Sequence, residues 1–249
     1  MTAPVFVVDE LGSTAGEFVL EGPEGRHAVS VRRLHAGEDV VLTDGRGRWA
    51  EGVVTAAEGK DRLVLDLRAA PAEEPAPAPR ITVVQALPKG DRGELAVETM
   101  TETGVDAIVP WAAARCVTQW RGERGRKSLA KWRATAREAG KQSRRVRFPE
   151  VAEAATSKQV AALLADCDFA AVLHEDRAYG STPLATVELP ASGDIVLVVG
   201  PEGGVSPEEL TLFEQAGART CRLGRSVLRT STAGTAATAL LLGRTGRWA

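Results

Sequence analysis

Ile195-Val196-Leu197-Val198-Val199 runs straight into Gly200-Pro201-Glu202-Gly203-Gly204, and after one valine Ser206-Pro207-Glu208-Glu209 follows. Five consecutive aliphatic residues without alternation predict a strand buried on both faces, as in a parallel sheet. The glycines of the next pentad let the backbone approach a ligand closely. Ser206 then offers an N-cap oxygen, Pro207 suits the first helical position, and Glu209 stands at the offset that completes a capping box. Strand, glycine loop and capped helix together predict an α/β domain with a ligand site at a strand's C-terminal end. The spacing is not Gly-x-Gly-x-x-Gly and lacks a Lys-Ser/Thr pair, which disfavours a dinucleotide or P-loop phosphate cradle. Alone, the pentad is equally consistent with a structural turn.

The next segment gives it weight. Thr220-Cys221-Arg222-Leu223 predicts another strand, followed by Gly224-Arg225-Ser226-Val227-Leu228-Arg229-Thr230-Ser231-Thr232 and an Ala-rich helix from about Thr232 to Leu242. Two loops leaving neighbouring strands converge, offering backbone groups and apolar Leu223, Val227 and Leu228 to an adenine-sized ring. Arg229 is the sole formal charge from Ser226 to Thr232, which makes it a site candidate.

Towards the N-terminus, strands at Ile81 to Ala86, Ala107 to Pro110 and Phe169 to Leu173 alternate with helices at Glu94 to Thr103, Ser128 to about Gln142 and Pro207 to Ala216. That order predicts a parallel sheet covered on both faces. Residues 71–79 are rich in Pro and Ala and predict a stiff, extended linker. Before it, short β-like runs at Val5 to Val8, Glu17 to Leu20, Asp39 to Thr43, Trp49 to Ala56 and Leu63 to Leu67 suggest a small β-barrel.

The net charge of -2 conceals an asymmetry. Residues 1–70 carry eight basic against twelve acidic side chains, whereas Arg115 to Arg147 carries twelve basic against two acidic. Such a run is either a solvated helix face or a place where a phosphate backbone docks. Trp120 and Trp132 lie within it; the spacing of Trp132 from Leu129 and Ala136 favours a core anchor, while an aromatic among cations could also stack on an unpaired base. The three cysteines, Cys116, Cys167 and Cys221, have no paired spacing, so neither a disulfide framework nor a zinc site is expected. No metal, no membrane span and a cytoplasmic location are the corresponding expectations.

Gly200 to Gly204, with Leu223-Gly224 and Val227-Leu228-Arg229-Thr230, resembles the signature of the SPOUT class of methyltransferases, and in detail the bacterial 16S (small-subunit) ribosomal RNA uridine-N3 methyltransferases. The resemblance takes in nearly the whole chain: His27 with Val31 to Leu34 and Gly37-Glu38, Gln85 to Arg92, Glu102 to Val105, Pro110, Glu138-Ala139, Gln142-Ser143 and Arg145. It implies a PUA-like, RNA-binding β-barrel at residues 1–70, a linker at 71–79, and a SPOUT α/β domain at 80–249 with a C-terminal trefoil knot. It further implies a homodimer that uses S-adenosylmethionine to methylate N3 of a specific uridine in 16S ribosomal RNA on the assembled small ribosomal subunit. The alternative is a noncatalytic RNA-binding ribosome-assembly factor, which would keep the basic stretch and bind no S-adenosylmethionine.

By the same resemblance three loops hold the cofactor: Leu173, His174 and Glu175; Val199, Gly200, Pro201, Glu202 and Gly203; and Leu223, Gly224, Val227, Leu228, Arg229 and Thr230. Arg229 is expected to stabilise the developing uridine anion, with Glu202 or a water accepting the N3 proton, unless Glu202 only ties down its own loop. Arg32, Arg33, Lys89, Arg92, Arg144 and Arg145 are the expected phosphate contacts. The chain departs from the family at Ser231, where a glutamate is usual; a helix-capping role is the reading favoured for this serine.

Overall fold

A computed structural model describes residues 3–174 and 181–248; Glu175 lies outside them. The chain divides into two compact units, one built from the stretch up to Ala76 together with Arg137–Phe148, the other from Pro77–Ala136 and Pro149 onward.

The first unit holds strands β1 (Val5–Val7), β2 (Gly16–Leu20), β3 (Asp39–Thr43), β4 (Arg48–Glu58), β5 (Arg62–Leu67) and β6 (Ala72–Glu73). Helix α1 (Gly22–Arg26) continues into a wider helical turn at His27–Val31. The strands pair along the path β1-β3-β4-β5-β2, with β6 added to β4. Among the described residues β1 and β2 do not pair with each other, so the hydrogen-bonded sheet is open where the sequence suggests a closed barrel. Alternate residues of β3 to β5 point inward, and Leu42, Ala50, Val54, Leu63 and Leu65 join Phe6, Leu20 and Ala28 in one core. Residues 137–148 complete the unit. A Cβ on Gly140 would lie 2.4 Å from the Phe148 ring, so glycine is required there despite its helical position.

The second unit is a seven-stranded sheet whose pairings are all parallel. Its strands are β7 (Arg80–Ala86), β8 (Ala107–Trp111), β9 (Glu150–Val151), β10 (Phe169–Leu173), β11 (Thr182–Pro183), β12 (Asp194–Val199) and β13 (Arg219–Arg222), in the order β11-β13-β10-β12-β7-β8-β9. Ile81, Val83, Leu197 and Val199 face one core, together with side chains of α2 (Arg92–Thr103), α3 (Gly122–Gln142) and α6 (Thr230–Arg244). Val84, Ala86, Val172, Val196 and Val198 face a second, with α4 (Ser157–Ala165) and α5 (Pro207–Gln215). Burial on both faces is why these strands read as unbroken aliphatic runs. A Cβ on Gly234 would lie 2.5 Å from Met100 Sδ, so this glycine lets α6 close on α2.

Three details differ from the sequence expectations. Helix α3 begins at Gly122, six residues before Ser128: Gly125 N–H donates to the Arg121 carbonyl at 3.1 Å in the first turn, and a Cβ on Gly125 would come within 2.9 Å of the Trp120 backbone. Helix α4 was not anticipated, although Thr156 and Gln159 form a full capping box at its start. Helix α6 begins at Thr230, with Arg229 at the N-cap, so Ser231 lies buried in the first turn and is not the cap.

Candidate active site

Strands β10, β12 and β13 are parallel neighbours, with Leu173 opposite both Val199 and Cys221. Their C-terminal ends therefore share one edge of the sheet, and the loops leaving them surround a cavity of about 310 Å³. Among the described residues, all those expected to hold the cofactor line this cavity except Gly203. Gly203 faces elsewhere: its carbonyl accepts from Arg115 Nη1 at 3.1 Å, and a Cβ there would lie 3.2 Å from Arg115 Cβ. The wall also includes Gly204 and Ser226 from the same two loops, and Arg92, Val205, Arg222 and Ala233, which sequence reasoning did not place there. Arg92, expected to meet RNA phosphate, thus lies at the cavity.

The glycine pentad has the close-packed geometry expected of it. A Cβ on Gly200 would lie 2.8 Å from Val205 Cγ2. Gly204, at φ +73°, donates its N–H to the Pro201 carbonyl at 2.9 Å. The capping box beyond it is formed: Glu209 N–H donates to Ser206 Oγ, and Ser206 N–H to Glu209 Oε2. Buried Glu209 also accepts from Ala114 N–H at 2.8 Å and Ser157 Oγ at 2.7 Å, fixing the loop base to two other segments. Glu202 accepts from Lys89 N–H at 3.0 Å, so its carboxylate ties the pentad to the segment after β7.

The two main loops are joined beneath the cavity. Gln85, fully buried on β7, donates from Nε2 to Thr230 Oγ1 at 2.9 Å, and Thr230 Oγ1 donates to the Gly200 carbonyl at 2.8 Å. From Leu223 to Leu228 the backbone makes no hydrogen bond with another described residue, leaving amides and carbonyls available beside exposed Val227 and Leu228. Arg229 is exposed at the cavity wall and forms no ion pair among the described residues. Burial pushes the Cys116, Cys167 and Cys221 thiols above their ordinary values, against any thiolate nucleophile. His174 lines the cavity and donates its N–H to the Cys221 carbonyl at 2.9 Å.

The basic run is less unbalanced in three dimensions than along the chain. Lys131 pairs with Glu94, Arg133 with Glu153, Arg137 and Lys141 with Glu24, and Arg147 with Glu74. Trp132 is buried, and Trp120 packs edge-on against it at 4.9 Å, so the pair serves the core and not an unpaired base. Arg121, Arg124 and Lys127 are exposed, as are Arg32, Arg33, Lys89 and Arg144; Arg145 is half-buried. Among the described residues no group of three His, Cys, Asp or Glu could hold a metal ion, and no helix is long and apolar enough to cross a membrane.

A parallel sheet with a loop-walled cavity at its strand ends, and a separate β-rich unit, define a two-part α/β protein with a ligand site, and family comparisons say of what kind. Residues 74–242 match the model of an RNA methyltransferase domain and residues 20–68 that of an RNA methyltransferase PUA domain. The chain belongs to the RNA methyltransferase family whose curated members are called ribosomal RNA small subunit methyltransferase E. It is 43% identical to the Mycobacterium bovis protein of that name over 100% of this chain and 94% of the relative. It is 29% identical to the Bacillus subtilis one, over 88% and 87% respectively. Among solved structures it resembles ribosomal RNA small subunit methyltransferase E from Neisseria gonorrhoeae bound to S-adenosyl methionine, with TM-score 0.84, 28% identity and 98% of each chain covered. A Legionella pneumophila putative methyltransferase in complex with the bound cofactor SAM gives TM-score 0.84 at 26% identity, again over 98% of each chain.

Proposed function

We propose that this protein methylates N3 of a specific uridine in 16S ribosomal RNA, taking the methyl group from S-adenosylmethionine. The observation that carries the reading is the single cavity in which Gly200 to Glu202 and Leu223 to Thr230 meet. Its donor set fits an adenosyl group: apolar Leu223, Val227 and Leu228, amides and carbonyls along the same loop that have no partner among the described residues, and no Lys-Ser/Thr phosphate cradle. S-adenosylmethionine, when bound, supplies an electrophilic methyl group on a sulfonium.

The chain's own residues do the rest by position and charge. The Gln85–Thr230–Gly200 chain of hydrogen bonds holds the two cofactor loops in register. Arg229, at the wall and without an ion pair among the described residues, stabilises the anion that uridine becomes as N3 loses its proton. Glu202 accepts that proton, directly or through water, while its link to Lys89 N–H keeps the carboxylate at the cavity lip. The rest of the assignment follows: the first unit, residues 1–70 with β6 and residues 137–148, acts as a PUA-type module that grips RNA, the proline-rich stretch after β6 as a linker, and the remainder of 80–249 as the catalytic domain, with the stretch from Leu223 through α6 threaded as a trefoil knot. Arg32, Arg33, Lys89, Arg144 and Arg145 meet phosphates, Arg92 meets substrate at the cavity mouth, and the working form is a cytoplasmic homodimer acting on the small subunit.

The test incubates the protein with labelled S-adenosylmethionine and either small ribosomal subunits or free 16S RNA, followed by nucleoside analysis. Label in 3-methyluridine is the expected result. Label in another nucleoside would refute the N3 assignment, and none at all would leave the assembly-factor reading in its place.

A further inference from the structure

A second cavity, of about 60 Å³, lies within the first unit, lined by residues 3–5 with Phe6, His27, Arg32, Lys141, Gln142 and Arg144. No carboxylate is among its described lining residues. Lys141 is buried, and its ammonium reaches Glu24 Oε1 at 3.0 Å, Glu138 Oε1 at 3.4 Å and His27 Nδ1 at 3.5 Å. An ammonium can only donate, so His27 Nδ1 accepts and the ring proton sits on Nε2. The imidazole is further held edge-on by Phe6 at 5.9 Å. With its three donors engaged, Lys141 orients His27 and leaves the guanidiniums as the open cationic groups.

Arg32 and Arg144 have no carboxylate within ion-pair distance among the described residues. Arg33, next to Arg32, has φ 55°, and Arg144 has φ 60°; these are the two non-glycine residues with positive φ in the described chain. Each closes a helical end: Leu34 N–H returns to the Ala28 carbonyl, and Arg145 N–H to the Gly140 carbonyl. Glycine is the residue such a wrap favours, and a side chain there is a conformational cost. The two helix ends bring roughly half a negative charge each. Arg32, Arg33 and Arg144 exceed that, and the surplus has no carboxylate partner among the described residues.

We propose that this pocket seats one backbone phosphate of the RNA substrate, held by Arg32 and Arg144 with His27 Nε2–H as a further donor. The inference rests on the reading of the protein as an RNA methyltransferase. At about 60 Å³ the cavity is a fifth the size of the one between the cofactor loops, a scale that suits a phosphate group. His27 and Arg32 come from one helical turn and Arg144 from the chain after α3, so the pocket requires both parts of the first unit.

The decisive variant is Arg144→Gly, because it removes the charge and relieves the left-handed position together. Its Tm should hold or rise, while binding of a small-subunit RNA fragment weakens about tenfold. The plot of log affinity against log salt should also become shallower by about 0.7 to 0.9. A series of fragments with single methylphosphonate linkages should contain one position that weakens the wild type and leaves Arg144→Gly unaffected; Arg32→Gln should be insensitive at the same position. A lowered Tm with an unchanged salt slope would reduce Arg144 to helix-end charge compensation and overturn the proposal, as would a methylphosphonate series with no such position. Wild-type protein that does not bind the RNA at all would overturn the RNA methyltransferase reading itself, before any variant is compared.

Discussion

Replacing Thr230 with valine keeps the shape of the side chain and deletes the oxygen that joins the two cofactor loops. The lost oxygen accepts from Gln85 Nε2 at 2.9 Å and donates to the Gly200 carbonyl at 2.8 Å. Gln85 is fully buried, and its Nε2 would keep only the 3.1 Å bond to the Ala86 carbonyl. Two hydrogen bonds at about 1 kcal/mol each, plus part of the cost of a half-satisfied buried amide, amount to roughly 2–3 kcal/mol of stability. Because Gly200 lines the cavity, cofactor affinity should fall several-fold in the same variant. Urea denaturation and calorimetric titration with S-adenosylmethionine read the two effects separately. Gln85→Leu in the Thr230→Val background should cost less than in the wild type, with a coupling of about 1 kcal/mol, because both partners are then apolar. A Thr230→Val protein within about 0.5 kcal/mol of wild type, uncoupled to Gln85, would refute the idea that this bond chain organises the site.

Arg229→Ala should retain cofactor binding by calorimetry and lose methyl transfer; full activity would remove the arginine from the mechanism. Gly140→Ala improves helix propensity by up to ~1 kcal/mol, yet its Cβ would meet the Phe148 ring at 2.4 Å, so a net loss of about 1–3 kcal/mol is expected in chemical denaturation. A stabilised variant would contradict the packing. Buried Cys221 and half-buried Cys116 and Cys167 are protonated more firmly than ordinary cysteines, so alkylation at pH 8 should be slow and should still accelerate as pH rises beyond 9. Rapid labelling at neutral pH would be inconsistent with their burial.

The parts of the fold that were readable in the sequence are those where local chemistry and tertiary role coincide. Ile195 to Val199 is aliphatic on both faces because it is covered on both, and Ser206 with Glu209 forms the very bonds its spacing suggests. The same box at Thr156 and Gln159 introduces α4, as short as α5 at nine residues, but it has neither the long aliphatic strand before it nor the proline at the first helical position that mark α5. Ser231 was misplaced because polar residues crowd the start of α6, and which of them becomes the cap depends on where Thr230 finds Gln85 and Gly200. The charge run is less unbalanced than it reads for a related reason. Glu24, Glu74, Glu94 and Glu153, which neutralise it, are distant in sequence. The cofactor loops were legible through glycines and a resemblance, whereas Arg92 and Arg115 carry no local mark of the cavity and of Gly203 that they attend.

Helix α3 and its following turn have a consequence for how this protein could be taken apart. The first unit owns residues 137–148, which bring Phe148 against Gly45 and Gly140, and the Val146 carbonyl to Thr43 Oγ1 at 2.7 Å. A fragment ending at the proline-rich stretch would leave that surface bare and forfeit Lys141, the partner of Glu24. The β-rich half is therefore not a cassette that can be cut out or grafted by its N-terminal sequence alone. Its gene segment is interrupted by the very domain it accompanies, so the two halves must be inherited, expressed and recombined as one piece.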